Sequence, residues 1–199
     1  EASQVGVGLL LALGVSMGGL GFSSDAVAGS CSPLTVGPFL CTGAADPVND
    51  TTVTINETTP VLVNTDPGFG ISSKAGRAFS ITGKGGITFT HTGTGAIIGK
   101  TEGVYLNNTT SGDILFTAVG DVQGLGGMGL NVVGGANTGN VTINVGNVES
   151  NGGLLNDAIH IQHSGTGNVA VTSTGTLSGK VNSDGIFIEN SASGQDITV

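Results

Sequence analysis

Tryptophan is absent from this 199-residue chain, tyrosine occurs once, and aromatic residues make up 4% of it. Charge is scarce as well: charged residues are 10%, with only five Lys+Arg against 14 Asp+Glu and a net charge of −9. So few bases and so acidic a balance exclude a nucleic-acid partner, because a phosphate backbone is met by Lys and Arg. The same balance argues against docking on anionic lipid. Helical patterning is missing too. After residue 30, no stretch keeps apolar residues at i, i+3 and i+4 over three turns free of Gly or β-branched runs, which excludes an amphipathic helix. Cysteine occurs twice, and neither copy has a His or further Cys nearby, so a structural metal site is poorly supported.

What is present is a repeat. Ala78-Phe79-Ser80-Ile81, Gly103-Val104-Tyr105-Leu106, Gly129-Leu130-Asn131-Val132, Ala158-Ile159-His160-Ile161 and Gly185-Ile186-Phe187-Ile188 share one pattern. Each is a small residue followed by two large apolar residues two apart, and the first apolar positions are spaced by 25, 26, 29 and 27. A second set, Ile87-Thr88-Phe89, Ile114-Leu115-Phe116, Val141-Thr142-Ile143, Val169-Ala170-Val171 and Ile197-Thr198-Val199, starts 27, 27, 28 and 28 apart. Polar turns precede it, among them Lys84-Gly85-Gly86, Ser111-Gly112-Asp113, Thr138-Gly139-Asn140 and Thr166-Gly167-Asn168. A third, weaker set is Gly95-Ala96-Ile97, Gly120-Asp121-Val122, Gly146-Asn147-Val148 and Gly175-Thr176-Leu177.

A fixed period in this range signals a solenoid. Three short strand-like segments per period, punctuated by turn residues, cannot bury their apolar side alone. Stacked coils can, with rungs pairing edge to edge about 4.8 Å apart. The fold expected is all-β: a parallel β-helix with a period of about 27 residues. The core is expected to stack Phe79, Val104, Leu130, Ile159 and Ile186 beside Ile81, Leu106, Val132, Ile161 and Ile188. A second wall would stack Ile87, Ile114, Val141, Val169 and Ile197 beside Phe89, Phe116, Ile143, Val171 and Val199. Corners account for the 37 glycines, because sharp turns often take φ > 0. A β-sandwich also has short strands, but it does not require a constant period.

Residues 1–28 read differently. Val5 to Phe22 is uncharged and apolar, holds six glycines, and leads to Ala26-Val27-Ala28. An apolar core followed by small-x-small is the pattern of a secretory signal, with cleavage here after Ala28. The n-region is expected to be truncated, since no Lys or Arg precedes the run. The stretch is long enough for a membrane span, but its glycines and Ala-x-Ala end favour the signal. Just beyond it, in an oxidising compartment, Cys31 and Cys41 are expected to form a local disulfide. That divides the chain into a signal-like segment over 1–28, a disulfide-capped lead-in over 29–50, and rungs over 51–199.

The Cys31-Ser32-Pro33 and Cys41-Thr42-Gly43 opening, the strands Val53-Thr54-Ile55 and Val61-Leu62-Val63, and the Gly-rich period together resemble the passenger domain of bacterial autotransporters (type V secretion). The resemblance covers Cys31 to Val199. It implies a right-handed β-helix that leaves the bacterial cytoplasm for the cell surface, outer membrane or medium. It also implies transport by the protein's own C-terminal outer-membrane β-barrel. The sequence holds no such barrel, and Val199 falls inside the second strand of a rung. The chain is therefore expected to be the N-terminal part of a longer passenger, monomeric, with a structural or adhesive role and a host-surface or carbohydrate ligand.

Several local patterns invite chemistry. Gly93 to Thr101 looks like a phosphate-binding loop, but Thr94 stands where the first Gly is needed. Gly126 to Val132 looks like a calcium nonapeptide repeat, but in a single copy, whereas that architecture needs tandem copies. Asp157 and Asp184 sit at one phase of adjacent rungs, a spacing that could hold calcium. Their equivalents Arg77, Glu102 and Met128 do not maintain the acid, so solvated turn residues are expected. His91, His160 and His163 are expected as outward surface residues, with no nucleophile and acid at triad spacing. Hence no catalytic residue and no cofactor are expected. The outward row Ser80, Tyr105, Asn131, His160 and Phe187 is the candidate binding stripe.

Three functions compete. A non-enzymatic surface protein follows from the repeat, the signal-like segment and the resemblance. A secreted β-helix lyase or hydrolase acting on acidic polysaccharide would use Asp157 and Asp184. A haemagglutinin-like exoprotein of two-partner secretion would share the fold, but the Asn-Pro-Asn-Gly motif of that class is absent.

Overall fold

The computed structural model describes residues 28–33, 38–153, 156–191 and 193–199. Strand β1 (Ser30–Pro33) and β2 (Phe39–Thr42) open the chain. The first rung follows as β3 (Val53–Asn56), β4 (Val61–Thr65) and β5 (Ile71–Ser72). The second is β6 (Phe79–Gly83), β7 (Ile87–His91) and β8 (Ile97–Gly99). The third is β9 (Val104–Asn108), β10 (Ser111–Ala118) and β11 (Val122–Gly124). The fourth is β12 (Leu130–Gly134), β13 (Asn137–Val145) and β14 (Val148–Ser150). The fifth is β15 (Ile159–His163), β16 (Val169–Ser173) and β17 (Leu177–Ser178), and β18 (Ile186–Asn190) and β19 (Ile197–Thr198) belong to the sixth.

Corresponding strands stack in parallel into three sheets of eight, six and five strands. The eight-stranded sheet gains its extra members from β1 and β2. The molecule is a parallel β-helix, and the period read in the sequence is its rung length. Phe79 lies opposite Val104, Val104 opposite Leu130, and Leu130 opposite Ile159. All four are fully buried, as are Ile81, Leu106, Val132 and Ile161 beside them. The second wall is buried from Val61 and Val63 through Val169 and Val171. Ile97, Val122 and Val148 of the third set are fully buried and, with Ile71 of the first rung, form the third side, whereas Leu177 at its end is only partly buried. Four phenylalanines form a chain inside the core: Phe69–Phe79 and Phe79–Phe89 cross between sides at centroid distances of 5.9 and 5.0 Å, and Phe89–Phe116 stack along one wall at 5.0 Å. Each fully buried large apolar side chain contributes about 1.5–3 kcal/mol.

The last rung departs from the expected core. Ile186 and Ile188 are only partly buried, while Ile197 is 49% and Val199 76% exposed. These residues have a neighbouring rung on one side only, so half of each stack is missing. Two expected turns also differ. Ser111-Gly112-Asp113 and Thr138-Gly139-Asn140 lie within β10 and β13, which run unbroken through the corner with a register shift between Gly112 and Ile114. Gly112 has φ +81°, and a Cβ there would collide with the Gly85 carbonyl. Buried Asn108 ties this corner, its Nδ2 donating to the carbonyls of Ser111 (2.9 Å) and Gly112 (3.0 Å).

At the other end, β1 and β2 pair antiparallel, with Cys31 directly opposite Cys41 and joined to it by a disulfide. β2 then pairs in parallel with β4. The lead-in thus caps the edge of the largest sheet, which manages an otherwise open row of backbone groups. Of the expected signal segment, residues 1–27 lie outside the described residues.

Candidate functional site

Side chains alternate across a strand, so the residue between each buried pair of the six-stranded sheet faces outward. Thr54, Ser80, Tyr105, Asn131, His160 and Phe187 lie opposite one another from rung to rung. The stripe read from the sequence is therefore a continuous row, and neighbouring turn residues hold it in place. The Arg77 guanidinium lies 4.1 Å above the Tyr105 ring centroid, a cation–π contact. Its Nε also donates to Glu102 Oε2. The other Glu102 oxygen accepts from Asn131 Nδ2 at 2.8 Å. In the next rungs, His160 Nδ1 donates to Asp157 Oδ2 at 2.9 Å. The His160 ring stacks on Phe187 at 4.9 Å and 16°.

Asp157 and Asp184 do not behave as two solvated turn residues. Asp184 is exposed, but Asp157 is buried. One Asp157 oxygen holds His160, and the other accepts the Asp184 N–H at 2.9 Å. That carboxylate orients the histidine and closes the corner. Among the described residues, no group of three or more His, Cys, Asp or Glu is placed to hold a metal ion.

Of the three histidines, only His160 faces outward as expected. His91 is fully buried because it stands two residues after Phe89 and so shares its inward side. Its Nε2 donates to the Gly95 carbonyl at 2.8 Å, and its Nδ1 accepts from the Thr65 hydroxyl at 2.8 Å. Burial holds its pKa below the usual histidine value, partly opposed by the Gly95 hydrogen bond. His163 is 2% exposed, with Nδ1 2.8 Å from Asn190 Oδ1 and Nε2 2.9 Å from the Gly139 carbonyl. The spacing from Phe89 carried the signal for His91; the polarity of the side chain masked it.

The two motif look-alikes are parts of rungs. In Gly93 to Thr101, Ile97–Gly99 is strand β8, paired between β5 and β11. Gly126 to Val132 is a corner leading into β12. A second polar surface, unnoticed in the sequence, runs along the five-stranded sheet. There Gln123 Nε2 donates to Glu149 Oε2 at 3.1 Å and Asn147 Nδ2 to Asp121 Oδ1 at 2.9 Å. Together with Thr176 and Ser178, these residues line a shallow groove.

Chemically, the first row offers hydrogen-bonding groups and stacked rings along a regular sheet. Its side chains are already held by Glu102, Arg77 and Asp157. A ligand meeting such a surface spends little free energy on ordering it. Comparison with protein-family models, with curated proteins and with solved structures gives no match for this chain.

Proposed function

We propose that this chain is an exported surface scaffold of the autotransporter-passenger kind, and that it acts by presenting the Tyr105–Phe187 row to a carbohydrate or a host surface. The observation that carries the reading is the row itself, preorganised by Arg77, Glu102 and Asp157. The Cys31–Cys41 disulfide supports an oxidising location. The polysaccharide-cleaving alternative loses support, since both oxygens of Asp157 are engaged.

The test is to express the complete parent protein in a Gram-negative host and digest intact cells with protease. The reading expects the solenoid to be accessible from outside and to be carried by a C-terminal region of alternating barrel strands about ten residues long. Retention in the cytoplasm, or a parent protein without such a region, would sink it. On a glycan panel, Tyr105→Ala and Arg77→Ala are expected to weaken binding at least tenfold, the loss of a stacked aromatic–cation pair.

A further inference from the structure

We propose that Asp50 is the receptor for a new chain terminus. Cleavage of the Ala28–Gly29 bond frees the Gly29 α-amino group, and its ammonium pairs with the buried Asp50 carboxylate to lock the first rung. The proposal rests on the export reading above.

Asp50 is 1% exposed. Its Oδ1 accepts the Gly29 N–H at 2.8 Å, and its Oδ2 accepts the N–H groups of Asp46 at 2.8 Å and Ser72 at 2.7 Å. Three separate parts of the chain thus converge on one carboxylate: the start of the lead-in, its last turn, and β5. Among the described residues, no Lys, Arg or His side chain pairs with it. A buried carboxylate without a compensating charge is costly. The Gly29 nitrogen already stands where a cation would remove that cost. As an amide it brings one N–H and no charge; as an ammonium it brings three donors and a full charge, which makes the stronger hydrogen bond.

The residue at this nitrogen is also constrained. Gly29 is buried, and a Cβ on it would collide with the Gly70 carbonyl oxygen and press on Ile71. Only glycine fits. Gly29 is at the same time the residue after Ala26-Val27-Ala28, the small-x-small pattern that marks a leader cleavage site. A cleavage pattern in the sequence and a buried acid without a charged side-chain partner among the described residues therefore meet at one atom. Ala28 is held by a single isolated bridge to Ala44, which cleavage would release.

The covalent step is ordinary peptide hydrolysis by a leader-removing peptidase. Water adds to the Ala28 carbonyl carbon and the C–N bond breaks. Ala28 leaves as a carboxylate, and the Gly29 nitrogen takes up protons to become an ammonium. The cut is made on the extended precursor, before Gly29 is buried. Processing and folding are then coupled, since the uncut chain lacks the charge that completes the Asp50 site. The titratable neighbours are Asp46, whose carboxylate accepts from the Val48 and Asn49 amides, and Lys74, whose backbone N–H bonds the Asp50 carbonyl.

The test compares the exported protein with its uncut precursor. N-terminal sequencing of the exported protein is expected to begin at Gly29; any other start overturns the proposal. Near pH 7 the processed protein should show a urea midpoint higher by about 1 M. An ammonium paired with a carboxylate has its folded pKa above the unfolded value of about 7.7–8.0. The advantage is therefore full below that value and lost as pH rises through the folded pKa. Asp50→Asn should abolish it. Nα-acetylation of the processed protein should do the same, and that arm stands even if Asp50→Asn fails to fold. An advantage that stays flat to pH 10, or survives acetylation, overturns the pairing. If the protein is never exported, the export reading falls. The free and acetylated amines of protein cut at Gly29 in vitro then still decide the Asp50 pairing.

Discussion

His91 shows how much a single residue depends on which side of its strand it occupies. Both ring nitrogens are satisfied inside the solenoid, by the Gly95 carbonyl and the Thr65 hydroxyl. The ring is neutral there, and its pKa is lowered mainly by burial. The unfolded chain takes up a proton near pH 6.5 that the folded chain resists. The stabilising contribution is therefore fully present above about pH 6.5 and is lost as pH falls below it. Urea unfolding at about pH 7.5 and pH 5 should give a lower midpoint at the acidic pH. His91→Gln, which cannot protonate, should flatten part of that difference; an unchanged slope would refute the assignment. Counting two residues on from Phe89 makes the inward position legible without coordinates. The two partners are not legible, because Thr65 lies in the previous rung, 26 residues away.

Corners, as elements, are built on a side-chain ladder. Asp113 Oδ1 accepts the Asn140 N–H at 2.8 Å, Asn140 Oδ1 the Asn168 N–H at 3.0 Å, and Asn168 Oδ1 the Asp196 N–H at 3.1 Å. Each rung caps the next at the same phase. Asn140→Ala should cost about 1 kcal/mol in chemical unfolding, one net hydrogen bond, whereas Asn140→Asp keeps the acceptor and should cost less. The residue types at these turns are plain in the sequence, but their pairing across rungs appears only once the coils are stacked. The lead-in hairpin is a second element with its own test. Reducing Cys31–Cys41 should lower stability by about 2–3 kcal/mol on the loop-closure view. Hydrogen exchange should accelerate first in β1 and β2, since among the described strands of the solenoid they pair with β4 alone.

At the scale of the whole molecule, stability follows the stack. Each rung touches its neighbours and little else, so substitutions should act by position along the axis. Leu130 is fully buried in the fourth rung, with partners on both sides. Ile186 sits at the same phase in the last rung and is only partly buried. Leu130→Ala should cost about 2–5 kcal/mol and Ile186→Ala clearly less, measured as urea midpoints at constant m. Equal costs would mean that the last rung is packed like the interior ones.

The apolar period alone specified a parallel solenoid, its rung length and most of its buried pairs. It could do so because a one-residue slip would turn every core side chain to solvent, so phase and burial are the same information. The outward row was legible for the same reason, as the complement of the buried positions. Stacking settled what periodicity does not carry: which polar groups meet across rungs. The Arg77–Tyr105 contact, the burial of His163, the engagement of Asp157 and the convergence of Gly29, Asp46 and Ser72 on Asp50 all join residues far apart in the chain. Hydrogen bonds are short-ranged and directional, so their partners are decided by which coil lies on which, and that is a property of the folded molecule.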